Sequence, residues 1–250
     1  MTDGAATDEV EIRFDRVSKY FGDFCAVEEL SLEIERGSMT AILGKTGCGK
    51  STMFNMISGL QDPSSGSVRV QGLDPFREFD KFRGKIAIVF QNDRLLPWRT
   101  ARENVELGLE MLDVPPERRR EISMDWLSRL GLSGHENDYP HALSGGMRQR
   151  VSIARAFATD ASILLCDEPF SALDEITANR LRGEFAELVR ASGKTAVFIT
   201  HSIGEALQIG RRVVVLLRPA RIALDERIAA DQGPAEADAL RARIQAVLSQ

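Results

Sequence analysis

Nine consecutive residues, Gly44-Lys45-Thr46-Gly47-Cys48-Gly49-Lys50-Ser51-Thr52, satisfy the spacing G-x-x-x-x-G-K-[S/T]. This pattern demands a strand before it and a helix after it, and both flanks comply. The apolar run Thr40-Ala41-Ile42-Leu43 precedes the loop, and Met53-Phe54-Asn55-Met56-Ile57 can continue as a helix. The glycines let backbone N–H groups converge on phosphate oxygens, and the helix N-terminus adds the positive end of its dipole. Lys50 can reach the β- and γ-phosphates of a nucleoside triphosphate, while the Ser51 hydroxyl can ligate Mg²⁺. Cys48 reads either as a small filler or as a reactive thiol inside the loop.

Short β-rich runs recur along the chain between turn signals: Glu11–Val17, Ser31–Ile34, Met39–Leu43, Ser67–Val70, Ile86–Phe90, Ile163–Cys166, Thr195–Thr200 and Arg212–Leu217. Several are continuously aliphatic, as strands buried on both faces of a parallel sheet must be. Polar loops follow three of them, at the carboxyl ends where α/β folds gather ligands. The stretch from Asn92 to Arg150 reads as helical instead. Pro115-Pro116 opens a segment in which Ile122, Trp126, Leu127 and Leu130 fall at i, i+4, i+5 and i+8, closed by Gly131. Leu240, Ile244, Val247 and Leu248 form another helical stripe near the end.

Bulk properties exclude several classes. The 250 residues suffice for a large core, and 43% hydrophobic with 28% charged residues is ordinary for a globular protein. A net charge of −5 argues against a nucleic-acid partner. Arg118-Arg119-Arg120 is the one dense basic run, and reads as a solvated helix face rather than a binding patch. Cys25, Cys48 and Cys166 have neither metal-ligand spacing nor an even count, which points to a reducing compartment. The acidic start Met1–Glu11 lacks the basic and apolar regions of a secretory signal. Apolar runs such as Val213–Leu217 fall far short of the roughly 20 residues that span a bilayer, so any membrane link must run through a partner.

Two more constellations carry chemistry. Ile163-Leu164-Leu165-Cys166-Asp167-Glu168 is an aliphatic strand ending in adjacent carboxylates. Asp167 is placed to hold the Mg²⁺ shell, and Glu168 to orient or deprotonate an attacking water. Leu143-Ser144-Gly145-Gly146-Met147 opens a helix over Met147–Ala158. Its free N–H groups suit a γ-phosphate, and equally an ordinary N-cap with a flexible entry.

Together these motifs resemble the ATP-binding subunit of an ABC transporter, over about Ile12 to Ile222. Leu143–Met147 is similar to the family signature, Ser171-Ala172-Leu173-Asp174 to the D-loop, and Gln91 to the Q-loop glutamine. Thr200-His201 is similar to the switch-histidine motif. Phe21 falls where the family places an aromatic ring against adenine, with Tyr20 the neighbouring candidate. The resemblance implies an α/β cassette at residues 9–230, with a mainly parallel core sheet and an N-terminal antiparallel β part. It also implies a helical insertion at about 92–152 and a C-terminal helix at 231–250. ATP and Mg²⁺ would be the cofactors. In a head-to-tail homodimer, Ser144, Gly145 and Gly146 of one subunit would close over ATP held by Gly44–Thr52 of the other. Glu168 would be the base, His201 would contact the γ-phosphate, and Gln91 would ligate Mg²⁺ or water.

Leu95-Leu96-Pro97-Trp98-Arg99-Thr100, Glu103-Asn104-Val105 and Arg218–Ile222 resemble a narrower branch, the bacterial importers of nitrate, aliphatic sulfonates and taurine. That branch implies a peripheral protein on the cytoplasmic face of the inner membrane. Its partners would be an integral membrane permease and, through it, a periplasmic solute-binding protein. Trp98 reads as part of the permease socket, against packing on the helical insertion. The alternatives are an exporter cassette, which the Leu95–Arg99 segment opposes, and a soluble ABC ATPase of DNA repair or translation. The latter would carry a long coiled-coil insertion or a second cassette, and the sequence has neither. Two positions depart from the family pattern. Lys45-Thr46 stands where many members have Pro-Ser, which leaves the backbone cradle intact. Ser202 replaces the usual Asp after the switch histidine, which removes an acidic group and puts a subunit contact or the support of His201 in doubt. His135 and His141 read as surface residues.

Overall fold

A computed structural model describes residues 10–229 and 232–249. The expected limits at residues 9, 230, 231 and 250 lie outside the described residues. In chain order the elements are β1 (Val10–Phe21), β2 (Phe24–Glu35), β3 (Met39–Gly44), α1 (Lys50–Ile57), β4 (Ser65–Val70), β5 (Ile86–Val89), α2 (Ala101–Met111) and α3 (Pro116–Arg129). They continue as α4 (Gly145–Ala158), β6 (Ile163–Asp167), α5 (Glu175–Ser192), β7 (Thr195–Thr200), α6 (Ile203–Ile209), β8 (Arg212–Leu217), β9 (Arg221–Arg227) and α7 (Pro234–Leu248). The chain forms two compact units, one from the segments up to Phe82 and from Phe185 onward, the other from Arg83 to Glu184.

In the first unit β3 lies between β7 and β8, parallel to both, and β9 adds antiparallel to β8. Every residue of β3 and β7 is buried, which explains their largely apolar sequence. Helix α1 buries Met53, Phe54, Met56 and Ile57. Phe185 meets Phe198 edge to face, with centroids 5.1 Å apart. A second sheet in the order β2-β1-β4 is wholly antiparallel, with alternating burial along β2. Its β1–β2 hairpin turns at Gly22-Asp23, where Gly22 takes φ +58°. On α7, Leu240 and Ile244 are buried against α6, β8 and β9.

The second unit pairs β5 with β6 in parallel and packs α2, α3 and α4 on one another. Helix α3 begins with Pro116 at its first position and ends before Gly131 at φ +68°, as its proline and glycine flanks require. Leu127 and Leu130 are buried, and Trp126 packs 5.1 Å from Phe157 of α4. The carboxylate of Glu106 on α2 accepts from Arg102 at 2.6 Å and from Ser123 of α3 at 3.1 Å, joining the two helices. Among the described residues no helix is long and apolar enough to cross a membrane.

Candidate functional site

In the first unit the register of the sheet places two of the motifs side by side. Leu43 pairs with Thr200, so the loop beginning at Gly44 and the turn carrying His201 leave neighbouring parallel strands at the same level. The loop is tightly constrained. A Cβ on Gly44 would lie 2.6 Å from the Cys48 sulfur and 2.8 Å from the Leu216 carbonyl. Gly49 has φ +110°, and a Cβ there would lie 2.4 Å from the Ala26 carbonyl. Only glycine meets both conditions. Cys48 is buried, which supports the filler reading over the reactive one. Lys50 is buried, and its ammonium donates to the carbonyls of Gly44 at 2.6 Å and Lys45 at 3.1 Å. Gly49 N-caps α1 without a side-chain hydrogen bond, and no acidic residue occupies the first turn. The amides there are therefore available to an anion, with the exposed Ser51 hydroxyl beside them.

His201 is exposed, and the backbone beside it is braced. Thr200 Oγ1 donates to the buried Glu205 carboxylate and accepts from the Ser202 amide at 3.0 Å. Ser202 Oγ in turn accepts from the Glu205 amide at 3.3 Å and N-caps α6. The serine thus supplies the capping oxygen that an aspartate would supply. Phe21 and Tyr20, at the end of β1, are about half exposed, with the Lys19 ammonium 5.3 Å from the Phe21 centroid. A hydrogen bond with Cys25 raises the pKa of the Tyr20 phenol.

The second unit carries its own group of motif residues. Val89 pairs with Cys166, so Gln91 and the carboxylates of Asp167 and Glu168 emerge from adjacent strand ends. Gln91 Nε2 stands 3.5 Å from Glu168 Oε2. Glu168 itself has φ +44°, sparsely populated by non-glycine residues and held here because its carbonyl accepts from Ser171 N at 3.2 Å and Oγ at 3.0 Å. Asp174 caps the start of α5 by accepting from the Thr177 amide at 3.0 Å, which holds its carboxyl below the usual range. Ser144 N-caps α4 by accepting from the Met147 amide at 3.3 Å, leaving Ser144 and Gly145 exposed. A Cβ on Gly146 would come within 3.0 Å of the Thr177 methyl.

Residues beyond the sequence motifs shape the second unit's group. Arg148 Nε donates to Asp93 Oδ2 at 3.0 Å, and its Nη1 donates to the Leu143 carbonyl at 2.8 Å. Arg155 donates to the carbonyls of Asp93 at 2.7 Å and Arg94 at 2.9 Å. Burial lowers the pKa of its guanidinium, and the Asp93 charge opposes that shift. Asn104, fully buried, accepts from the Leu96 amide at 2.7 Å and donates to the carbonyls of Leu96 at 3.1 Å, Arg99 at 3.0 Å and Thr100 at 3.0 Å. Between those anchors Arg99 N bonds to Leu96 O at 3.1 Å, closing a four-residue turn with Pro97 second and Trp98 third. Trp98 at its tip is 70% exposed, so it does not pack on the neighbouring helices. No motif pointed to Asp93 or Arg148, and Asn104 entered only through its likeness to the importer branch.

A strand, a glycine loop closed by a buried lysine and a helix with free N-terminal amides define a phosphate-loop nucleotide-binding protein. The ABC transporter family model matches residues 27–171. The chain is 41% identical over 191 residues to the taurine import ATP-binding protein of Yersinia pestis, covering 76% of this chain and 73% of that protein. It is 41% identical over 197 residues to the nitrate import ATP-binding protein of Synechococcus elongatus, covering 78% of this chain but 29% of that longer protein. A dimeric ATP-binding cassette, solved in a post-hydrolysis state bound to ADP and Pi, superposes with a TM-score of 0.76 at 34% identity. That match covers 88% of this chain and 99% of the other. The chain belongs to the ABC transporter ATPase family, and it couples ATP hydrolysis to transport.

Proposed function

We propose that this protein energises a bacterial importer of a small solute such as nitrate, an aliphatic sulfonate or taurine. It works as a head-to-tail homodimer on the cytoplasmic face of the inner membrane, beneath an integral permease supplied by a periplasmic solute-binding protein. The observation that carries the transport reading is Trp98. A tryptophan held out on a proline turn, with its backbone pinned by a buried asparagine, is a preorganised anchor for a protein partner. Similarity to the taurine and nitrate import proteins supports the choice of solute class.

In the reaction, the amides of Gly44–Thr52 and the Lys50 ammonium hold the triphosphate and stabilise charge on the β- and γ-phosphates. Phe21 lies against the base. Glu168 accepts a proton from the attacking water as its oxygen bonds to the γ-phosphorus and the bridging bond to ADP breaks. Gln91 positions that water, and His201 contacts the γ-phosphate. Ser144, Gly145 and Gly146 of the second subunit close over it, so hydrolysis follows dimer closure. The hydroxyl of Ser51, the carboxylate of Asp167 and the amide oxygen of Gln91 are hard oxygen donors that fit Mg²⁺, an ion bound through one or two carboxylates together with phosphates and water. Mg²⁺ would supply charge neutralisation between the β- and γ-phosphates.

The test is Glu168→Gln. It removes the proton acceptor while keeping an amide beside Gln91. The variant is expected to bind ATP, to lose roughly 10²–10⁴-fold in turnover, and to elute as a dimer with ATP on size-exclusion chromatography. Near-normal turnover, or a monomer at saturating ATP, overturns the reading.

A further inference from the structure

We propose that the Asp93–Arg148 ion pair transmits partner docking to the ATP-facing signature loop; the inference rests on the function proposed above. The two oxygens of the Asp93 carboxylate do different things. Oδ1 accepts from the Leu95 amide at 3.2 Å, fixing the start of the segment that ends in Trp98. Oδ2 accepts from Arg148 Nε at 3.0 Å. The far side of the same guanidinium holds the Leu143 carbonyl at 2.8 Å, on the peptide immediately before Ser144. Two side chains therefore join the partner-facing segment to the residue that N-caps α4 and faces the nucleotide.

The geometry makes this a joint rather than a general brace. Arg155 anchors the Asp93 and Arg94 carbonyls and Oδ1 of Asp93 holds the Leu95 amide, so Oδ2 serves Arg148 rather than the segment's own backbone. The planar guanidinium presents donors in a fixed fork, so a displacement of Asp93 rotates the group that grips Leu143. Both side chains are partly exposed, at 36% for Arg148 and 27% for Asp93, which leaves room for the movement. Asn104 makes the other end stiff by pinning Leu96 and Arg99, so motion imposed at Trp98 passes along the segment instead of dissipating in the turn.

The test reads ATP-driven dimerisation in a Glu168→Gln background, by light scattering against ATP concentration. Asp93→Asn is expected to raise the ATP concentration at half-dimerisation at least about fivefold, and less than about twofold when Arg148→Gln is already present. Equal shifts in both backgrounds would mean that Asp93 acts on its own segment, and the inference falls. So does the absence of any shift. A parent that fails to dimerise with ATP refutes the split-site reading instead. A second measurement uses the complex with the membrane permease that co-purifies with this chain, in lipid nanodiscs. Trp98→Ala and Asp93→Asn should each lower permease stimulation of hydrolysis, and their combination no further than the stronger one. Stimulation retained in Asp93→Asn/Arg148→Gln overturns the proposal.

Discussion

Asn104→Ala tests whether the exposed tryptophan turn is held from below. The side chain makes four hydrogen bonds, but their loss is not four equal penalties. The Leu96 carbonyl keeps the Arg99 amide at 3.1 Å, and the Thr100 carbonyl keeps the residue-104 amide at 2.9 Å. The Leu96 amide and the Arg99 carbonyl lose the partners that Asn104 provides at 2.7 and 3.0 Å. An unsatisfied buried backbone group costs about 1–3 kcal/mol, so two would cost about 2–6 kcal/mol, and because both bonds here are part-buried the lower part of that range, about 2–4 kcal/mol, is expected. Urea unfolding followed by circular dichroism should show a lower midpoint at unchanged slope. With Trp126→Phe leaving Trp98 as the sole tryptophan, its fluorescence anisotropy should fall in the same variant. A loss below about 1 kcal/mol with unchanged anisotropy refutes the argument that Asn104 orders the turn.

Other expectations follow from the same contacts. Gly49→Ala places a Cβ 2.4 Å from the Ala26 carbonyl at a φ of +110°. Nucleotide affinity should fall at least about tenfold, or about 1.4 kcal/mol, in a titration with fluorescent ATP; unchanged affinity would mean the loop tolerates the shift. Trp98→Ala should weaken co-purification with the permease while leaving ATP binding to the isolated chain intact, and the reverse ordering would assign the indole to the fold. Glu103 closes a capping box with Thr100, whose backbone N–H is the main reason its carboxyl sits below the usual range. A depressed pKa adds stability above the unfolded value, and that stability is lost as pH falls through the folded value. Glu103→Gln should therefore be less stable than the parent at pH 7, and the gap should close on acidification below the ordinary carboxylate range. A gap that is constant with pH removes the charge from the explanation.

How much of this was legible depended on whether the signal was local. The phosphate loop, the strand and helix flanking it and α3 between its prolines and Gly131 announce themselves within a dozen residues. Strand β9 does not, because Arg221–Arg227 alternates only between exposed and half-buried positions and owes its place to antiparallel pairing with β8. Helix α2 carries charge on much of its surface, and the Thr100/Glu103 capping box marks its start ahead of a narrow Ala101, Val105 and Leu109 stripe. Asp93 and Arg148 lie 55 residues apart and pair because α4 packs against β5, which no periodicity in either segment reveals.

Ser202 shows the converse, where a departure visible in the sequence proves local in its effect. A serine in place of aspartate after the switch histidine removes a charge and suggests a weakened turn. The turn, however, is held by oxygen geometry more than by charge. Ser202 Oγ accepts from the Glu205 amide at 3.3 Å, and Thr200 Oγ1 connects the Ser202 amide to the Glu205 carboxylate. The acid that braces the histidine's backbone comes from α6, four residues beyond His201, so the capping position needs only a hydroxyl.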